Sequence, residues 1–279
     1  MEQKRQTYTV ITGASSGIGY ETAKAFAARG RNLIVAARRQ NNLEALKGEL
    51  VSSYPKLDVV VKVIDLSVME HVYQFYDELR EYRLDTWINN AGFGNYDSVA
   101  HQELKKIEAM LHLNIEALTV LSSLFVRDYK DMEGTQLINI SSCGGYTIVP
   151  TAITYCATKF YVSTFTEGLA RELWESGAKM RAKVLAPTAT QTEFGKIANN
   201  VSVYDYDRLF GTYHTSRQMA GFLMELYDSD QVIGAVDRET FEFQLCGPRF
   251  DYAGNSGHNQ KAEAGNGEPL APGGGFRSV

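Results

Sequence analysis

Short apolar runs alternate with longer amphipathic stretches over the first 190 residues, and this alternation limits the possible folds more than any other feature. The runs are rich in β-branched residues, as in strands covered on both faces, and occupy 8–12, 32–37, 58–64, 86–90, 136–141 and 181–186. The stretches between them have helical apolar spacing and occupy 20–29, 43–52, 69–81, 104–128 and 155–176. The pattern predicts an α/β fold, with one doubly wound parallel sheet between two layers of helices.

After Pro187 the alternation loosens. Residues 188–212 are aromatic and polar, which predicts a long loop with short helical pieces over the carboxyl end of the sheet. A helix is expected at 216–227 and a final strand at 240–245. We therefore expect one domain over 1–252, with a substrate loop at about 188–215, and a flexible Gly-rich tail over 253–279.

Composition excludes several classes of function. The net charge is −5 and hydrophobic residues make up 44%, so neither nucleic acid nor a membrane is an expected partner. No run reaches the roughly 18 apolar residues of a membrane span, and the polar start does not resemble a signal peptide. Three cysteines without paired spacing favour a reducing cytoplasm, and the five histidines lack metal-ligand spacing, so no metal is expected.

A glycine-rich turn, 12–19 (TGASSGIG), joins the first strand to the first helix. Its glycines permit a tight turn and close approach of a pyrophosphate, and the amides at the helix N-terminus supply donors. The loop alone is weak evidence, but its position between strand and helix favours a Rossmann-type dinucleotide site. The expected contacts are Gly13, Ser15, Ser16, Gly17, Ile18 and Gly19.

The end of the second strand predicts which dinucleotide is bound. An NAD site normally has an acid there, whereas this chain has Arg38 and Arg39, which suit the 2′-phosphate of NADP. The alternative is that the two arginines only begin a solvated loop. Asp65, followed by Leu66, is placed to contact the adenine, although it also suits a helix N-terminus.

Four later motifs make a family resemblance specific. They are NNAG at Asn89, Asn90, Ala91 and Gly92, then Asn114 in a helix, Ser142 after the fifth strand, and YxxxK from Tyr155 to Lys159. In this order, with the glycine loop, the chain resembles the short-chain dehydrogenase/reductase family over about residues 7–194. The resemblance implies an oxidoreductase that interconverts a carbonyl and an alcohol with NADP(H).

Tyr155 and Lys159 are four residues apart, so on one helix they share a face. A nearby ammonium would lower the pKa of the phenol and let Tyr155 act as general acid or base. Lys159 would also hold the nicotinamide ribose, and Ser142 would bind the substrate oxygen. The resemblance adds Asn114 as the anchor of a water in a proton relay. Taken alone, a Tyr–Lys pair is more often a half-buried tyrosine beside a solvated lysine.

The chain departs from the family pattern after the sixth strand, where Thr188 follows Pro187 in place of glycine. Thr188 is expected to line or narrow the substrate pocket, and Thr190 and Thr192 to contact the carboxamide. The family's usual C-terminal Asp-Gly-Gly is absent, and 234–238 (GAVDR) does not replace it, which puts the last strand in doubt.

The expected substrate contacts combine catalytic residues and pocket walls. They are Ser142, Tyr155, Tyr146, Phe93 and Thr188. Tyr96, Tyr204 and Phe210 are further candidates for pocket walls, although core packing explains each aromatic residue equally well.

We expect a small-molecule carbonyl or alcohol substrate and a homodimer or homotetramer. The main alternative is a catalytically silent NADPH-sensing protein of the same fold. The second alternative, a sugar epimerase or dehydratase, would need a larger C-terminal substrate domain.

Overall fold

The computed structural model describes residues 6–253, and their strands form an eight-stranded sheet and a two-stranded sheet. The large sheet contains β1 (Thr7–Thr12), β2 (Asn32–Ala37), β3 (Val59–Val63), β4 (Arg83–Asn89), β5 (Gln136–Ile140), β6 (Arg181–Ala186), β9 (Ile233–Val236) and β10 (Phe243–Cys246). The small sheet pairs β7 (Thr190–Gln191) with β8 (His214–Thr215). The tail expected at 253–279 lies, after its first residue, outside the described residues.

Helices connect these strands on both faces of the large sheet. They are α1 (Gly17–Ala28), α2 (Gln40–Ser53), α3 (Met69–Glu78), α4 (Leu104–Leu111), α5 (Leu118–Tyr129), α6 (Ile153–Glu175), α7 (Phe194–Asn199), α8 (Tyr206–Phe210) and α9 (Ser216–Asp228). Phe26 and Leu223 belong to the core cluster on one face, and Phe75 and Phe125 to the cluster on the other. The predicted three-layer arrangement is confirmed.

The large sheet has the strand order β10-β9-β6-β5-β4-β1-β2-β3, and every pair is parallel except β9 with β10. β1 lies between β2 and β4. The chain therefore adds β2 and β3 on one side of β1, and then adds β4 and the later strands on its other side. The predicted doubly wound sheet is confirmed. A crevice at such a switch point, beyond the strand ends, is where open α/β sheets bind ligands.

The end of the sheet differs from the sequence expectation. A strand does form where its presence was in doubt: β9 pairs in parallel with β6. The strand expected at 240–245 begins later, at Phe243, and pairs antiparallel with β9. Val236 and Ile233 are buried, so hydrophobic burial places β9 in the sheet without the usual family motif.

The helix expected at 104–128 contains a π-helical turn, His112–Ala117, between α4 and α5. The combined segment Leu104–Tyr129 contains an 18-residue window with a mean hydropathy of 1.5 and is the one described helix long and apolar enough to cross a membrane. Core helices of soluble proteins meet the same criterion, and Leu118, Leu121 and Phe125 are buried against the sheet. The π turn displaces the helical register at Asn114, a position the sequence assigned to the site.

Candidate active site

A cleft of about 310 Å³ lies at the carboxyl ends of the central strands. The glycine-rich turn lines one side, and residues that follow β4, β5 and β6 line its floor. The segment after Pro187, with α7 and α8, lines the remaining side. The predicted residues among its lining are Gly13, Ser16, Gly17, Ile18, Asn90, Ala91, Gly92, Phe93, Tyr96, Ser142, Tyr155, Lys159, Pro187, Thr188, Thr190, Thr192, Tyr204 and Phe210.

The glycine-rich turn is tightly packed. Gly13 has a φ of 68°, which side-chain-bearing residues rarely adopt, and a Cβ atom there would lie 2.8 Å from Ala91 Cα. A Cβ atom at Gly19 would lie 2.6 Å from the carbonyl oxygen of Gly13. Gly19 therefore lets α1 approach the turn closely, although Gly19 itself is not part of the cleft lining.

The two asparagines of the NNAG motif hold this turn and the sheet. Asn90 Nδ2 donates to the carbonyl oxygens of Thr12, at 2.9 Å, and Gly13, at 3.1 Å. Asn89 Nδ2 instead donates to Asn139 Oδ1 at 2.9 Å, inside the sheet. Asn89 is 4% exposed and is not among the cleft lining, so its side chain has a structural role and its cofactor contact stays a prediction.

The two arginines after β2 have different surroundings. The Arg38 side chain is 65% exposed, and its Nη1 lies 3.9 Å from Asp65 Oδ2. Arg39 Nη2 donates to Ser16 Oγ at 2.6 Å and to Ser15 Oγ at 3.0 Å, and its Nη1 lies 2.7 Å from Glu193 Oε2. Arg39 therefore connects the glycine-rich turn to the segment that covers the cleft.

Asp65 belongs to a turn before α3. Its Oδ1 accepts hydrogen bonds from the Ser67 amide, at 3.0 Å, and the Ser67 hydroxyl, at 2.7 Å. Burial opposes ionisation, but these hydrogen bonds and the charge of Arg38 outweigh it and hold the pKa of Asp65 below its ordinary value. The adjacent Leu66 is 5% exposed and its side chain packs in the core, so its cofactor contact stays a prediction.

The residues predicted to be catalytic come from α6 and the end of β5. Tyr155 and Lys159 lie one turn apart on α6 and are 7% and 6% exposed. A Cβ atom at Gly144 would lie 3.5 Å from Ser142 Oγ and 3.8 Å from Tyr155 Cε1, so the hydroxyl and the phenol ring share this corner of the cleft. Lys159 Nζ donates to the Ile140 carbonyl at 2.8 Å and lies 5.9 Å from the centre of the Tyr155 ring.

The expected lowering of the Tyr155 pKa by Lys159 is not found. Burial raises the pKa of Tyr155 above its ordinary value, and the repulsive influence of Tyr96 adds to this, whereas the Ser142 hydroxyl acts in the opposite direction. Burial also lowers the pKa of Lys159, to about 8. The physical reason is that desolvation disfavours both charged forms, phenolate and ammonium.

Asn114 positions backbone around the catalytic residues. Its Oδ1 accepts from the Phe93 amide at 3.2 Å, and its Nδ2 donates to the Phe93 carbonyl at 2.9 Å and to Thr158 Oγ1 at 3.1 Å. Asn114 is 1% exposed and does not line the cleft. Its side-chain amide thus joins the segment after β4 to α6, and the relay water predicted from the resemblance is not assigned to that amide.

The substrate side of the cleft is aromatic. Of the five aromatic residues proposed as walls, only Tyr146 is absent from the lining. Its hydroxyl donates to Glu167 Oε1 at 2.6 Å, and its ring stacks on Phe250 at 5.6 Å, which turns it toward a neighbouring cavity. Tyr146 therefore does not line this cleft, and its predicted substrate contact stays a prediction. Lining residues that the sequence did not single out include Phe194, Glu193 and Arg238.

A family model confirms the resemblance: the short chain dehydrogenase model matches residues 7–201, well over half of the chain. The chain belongs to this family. Its members include the human protein "Dehydrogenase/reductase SDR family member 11", which is 31% identical over 201 residues, 70% of this chain and 77% of the human protein. The chain is therefore an oxidoreductase of the short-chain dehydrogenase type.

Two further similarities extend this family relationship. The sulfoacetaldehyde reductase of Chromohalobacter salexigens is 32% identical over 66% of this chain and 72% of its own. A solved short-chain dehydrogenase from Sphingobium yanoikuyae, in complex with NADPH, superimposes with a TM-score of 0.76 at 28% identity, over 84% of this chain and 89% of its own. The fold is thus shared well beyond the glycine-rich turn.

Proposed function

We propose that this short-chain dehydrogenase is an NADP(H)-dependent carbonyl reductase or alcohol dehydrogenase. It interconverts a ketone or aldehyde with the corresponding alcohol. The observation that carries the proposal is that Ser142 and Tyr155 meet at Gly144, beside Lys159, in one cleft. That cleft also reaches the glycine-rich turn, so a carbonyl group and a dinucleotide can be bound side by side.

The residues fit NADP(H). The tight turn at Gly13 and the N-terminus of α1 suit a pyrophosphate, and Arg38 and Arg39 flank the place of a 2′-phosphate. Lys159 uses one hydrogen-bond donor on Ile140 and keeps two for a ribose. The solved relative from Sphingobium yanoikuyae binds NADPH, which supports the same choice here.

When bound, the nicotinamide supplies or accepts a hydride. In reduction, the Ser142 hydroxyl binds the carbonyl oxygen and fixes its position. Tyr155 donates its phenolic proton to that oxygen as negative charge develops, and in oxidation it takes the proton back. The raised pKa of Tyr155 keeps it protonated, the form needed for reduction. Lys159 would hold the ribose beside Tyr155 through its two remaining donors.

Replacing Tyr155 with Phe tests this proposal. We expect kcat with NADPH and a panel of ketones and aldehydes to fall by about 10² to 10⁴, because proton transfer is lost. NADPH binding, followed by fluorescence titration, should be unchanged. Tyr161→Phe is the matched control, since Tyr161 lies on the same helix with its hydroxyl 2.8 Å from Thr119 Oγ1. Full activity of Tyr155→Phe would refute the mechanism, and NADPH binding without any turnover by the wild type would favour the sensing protein.

The cofactor preference has its own test. We expect tighter binding of NADPH than of NADH, and a smaller difference in Arg38→Ala and in Arg39→Ala. Fluorescence titration of each variant with both dinucleotides measures this. Equal affinities in the wild type, unchanged by either substitution, would show that the arginines do not read a 2′-phosphate and that NAD is the cofactor.

We also propose a cytoplasmic homodimer or homotetramer. The exposed face of α6 carries Ile153, Tyr161 and Trp174, which are 44%, 36% and 70% exposed. Burying such residues against a second copy would stabilise the assembly. Light scattering after size-exclusion chromatography should give a multiple of the 31.1 kDa chain, and Trp174→Glu should weaken the assembly.

A further inference from the structure

A second cavity, of about 680 Å³, adjoins the active-site cleft. The two share Cys143 and Arg238 among their lining residues, so they meet directly behind Ser142. The remaining lining of the second cavity is mostly polar and comes from the turn after β5, from the end of β6, from β9, β10 and their connection, and from the segment that follows β10. These residues are Tyr146, Thr147, Ala186, Ala235, Val236, Asp237, Glu239, Gln244 and Arg249.

Arg238 differs from the other charged residues that line the cleft. Lys159 is hydrogen-bonded to the Ile140 carbonyl, and Glu193 is paired with Arg39. Within residues 6–253, no carboxylate lies within 4.0 Å of the Arg238 guanidinium. Its charge nevertheless reaches Cys156, the neighbour of Tyr155, because it opposes the rise that burial causes in the pKa of that thiol.

A second guanidinium, that of Arg249, is held at the same cavity. It lies over the Tyr146 ring at 5.0 Å. The main-chain amides of Arg249 and Phe250 donate to Glu167 Oε2 at 2.6 and 3.0 Å. Glu167 is 3% exposed, so a buried carboxylate anchors this segment to α6. This anchor fixes the main chain of Arg249 beside the second cavity, which Arg249 lines.

The acidic residues of the cavity do not neutralise these two arginines by direct pairing. Asp237 Oδ1 accepts the amides of Glu239 and Thr240, both at 2.8 Å, so this carboxylate is engaged in its own turn. Glu239 is exposed, and within the described residues it forms no ion pair with Arg238 or Arg249. Both arginines also lie outside residues 7–201, the part that the family model matches.

We infer that the second cavity is an anion subsite of the active site, in which Arg238, with Arg249, binds a carboxylate on the carbonyl substrate. Guanidinium groups bind carboxylates by paired, charge-assisted hydrogen bonds. The aromatic residues of the cleft would hold the apolar part of the substrate, between its carbonyl and its carboxylate. The substrate class is thus an apolar oxo acid. This inference rests on the proposed carbonyl reductase activity.

The test uses aryl ketones that carry a terminal carboxylate on alkyl chains of different length, each paired with its primary amide. With NADPH, we expect wild-type kcat/KM for the best carboxylate to exceed that for its amide at least about tenfold. Arg238→Gln should reduce this ratio at least about tenfold, and Arg249→Gln by less. Arg80→Gln is the control, because Arg80 pairs with Asp77 on α3. A ratio near one in the wild type, or one unchanged by Arg238→Gln, would overturn the inference.

Failure of the activity is distinguishable from failure of the subsite. If no ketone is reduced, the proposed function fails, and calorimetric titration with the carboxylates then tests the subsite alone. Binding that Arg238→Gln weakens at least about tenfold, and that inorganic phosphate does not displace, supports the inference. Equal binding by both proteins would overturn it, as would displacement by phosphate at equal concentration, since a general anion site needs no apolar contact.

Discussion

Among residues 6–253 of this short-chain dehydrogenase two lysines are buried, and their surroundings differ. Lys183, on β6, is 1% exposed and donates to the carbonyl oxygens of Leu226, Tyr227 and Ser229 at 2.9, 2.8 and 2.7 Å. Lys159, on α6, is 6% exposed and donates only to the Ile140 carbonyl. Burial lowers the pKa of both to about 8.

The difference separates a structural lysine from one available for chemistry. An ammonium has three donors, and Lys183 uses all three to satisfy carbonyls at the C-terminus of α9. Burial disfavours the charged form of Lys159 to a similar extent, but Lys159 keeps donors directed toward the cleft. Burial alone therefore does not distinguish the two lysines, whereas the unused donors of Lys159 next to Tyr155 do.

The strongest test of this contrast is Lys159→Met. We expect kcat to fall by about 10³, because Tyr155 loses the nearby ammonium and the ribose loses its donors. The free energy of unfolding should not decrease, since a buried charge is removed. Steady-state kinetics and urea unfolding measure the two effects. Lys179→Met, at a 58% exposed side chain, is the control, and a rate within twofold of the wild type would contradict the assignment.

The converse substitution is Lys183→Met. It leaves three carbonyls without their donor, so we expect unfolding in urea at neutral pH to require about 3 kcal/mol less free energy. The value of kcat per folded molecule should stay unchanged, because Lys183 does not line the cleft. If this variant instead lost activity without losing stability, the division between the two lysines would be incorrect.

The pH dependence of stability provides a third test. Between pH 8 and 10.5, the unfolded chain binds a proton at each lysine that the folded chain has released, so stability rises with pH in this window. Lys183→Met lacks the contribution of Lys183 to this rise. As the pH increases from 8 to 10.5, its free energy of unfolding should therefore fall about a further 2 kcal/mol below that of the wild type. Tyrosines that titrate in the same pH range contribute equally to the wild type and the variant, so the difference between the two proteins removes their contribution. A constant difference would show that the folded pKa of Lys183 is not lowered.

The smallest effect concerns Arg39. Its donors, like those of Lys183, are engaged by protein groups, among them Ser16 and Glu193 of the cleft lining. Glu193→Gln should release Arg39 for a 2′-phosphate and tighten NADPH binding about threefold, because an exposed ion pair contributes little. NADH binding should not change. Glu78→Gln, which breaks the Lys62–Glu78 pair, is the control in the same titration. Weaker NADPH binding would mean that Glu193 positions Arg39 for the cofactor.

Much of the fold could be predicted from sequence because it depends on local patterns. The strands predicted at 32–37 and 181–186 have the observed bounds, and the remaining predicted strands of the parallel sheet differ by a few residues. β9 was not predicted, because four apolar residues without the family motif are a weak local signal. The π turn at Asn114 was also missed, since one additional residue in a helical turn barely changes the apolar spacing.

The candidate site divides in the same way. The placement of Ser142, Tyr155 and Lys159 in one cleft could be expected from local sequence. Ser142 follows a strand, and Tyr155 and Lys159 lie one turn apart on one helix. Arg238 could not be found, because it comes from a hairpin far along the chain and reaches the cleft only after β9 joins the sheet. Tyr146 lies outside the cleft lining, because its hydrogen bond to Glu167 depends on how α6 packs.

The sequence by itself determined the order of strands and helices, the glycine-rich turn and the spacing of the Tyr–Lys pair, because these depend on residues close together in the chain. Tertiary structure alone decided which polar groups are buried, which donors remain unused and which charges reach the cleft. Those properties follow from desolvation and from contacts between distant segments. Lys159 and Lys183 are the same residue type with the same lowered pKa, and only their neighbours in space distinguish them.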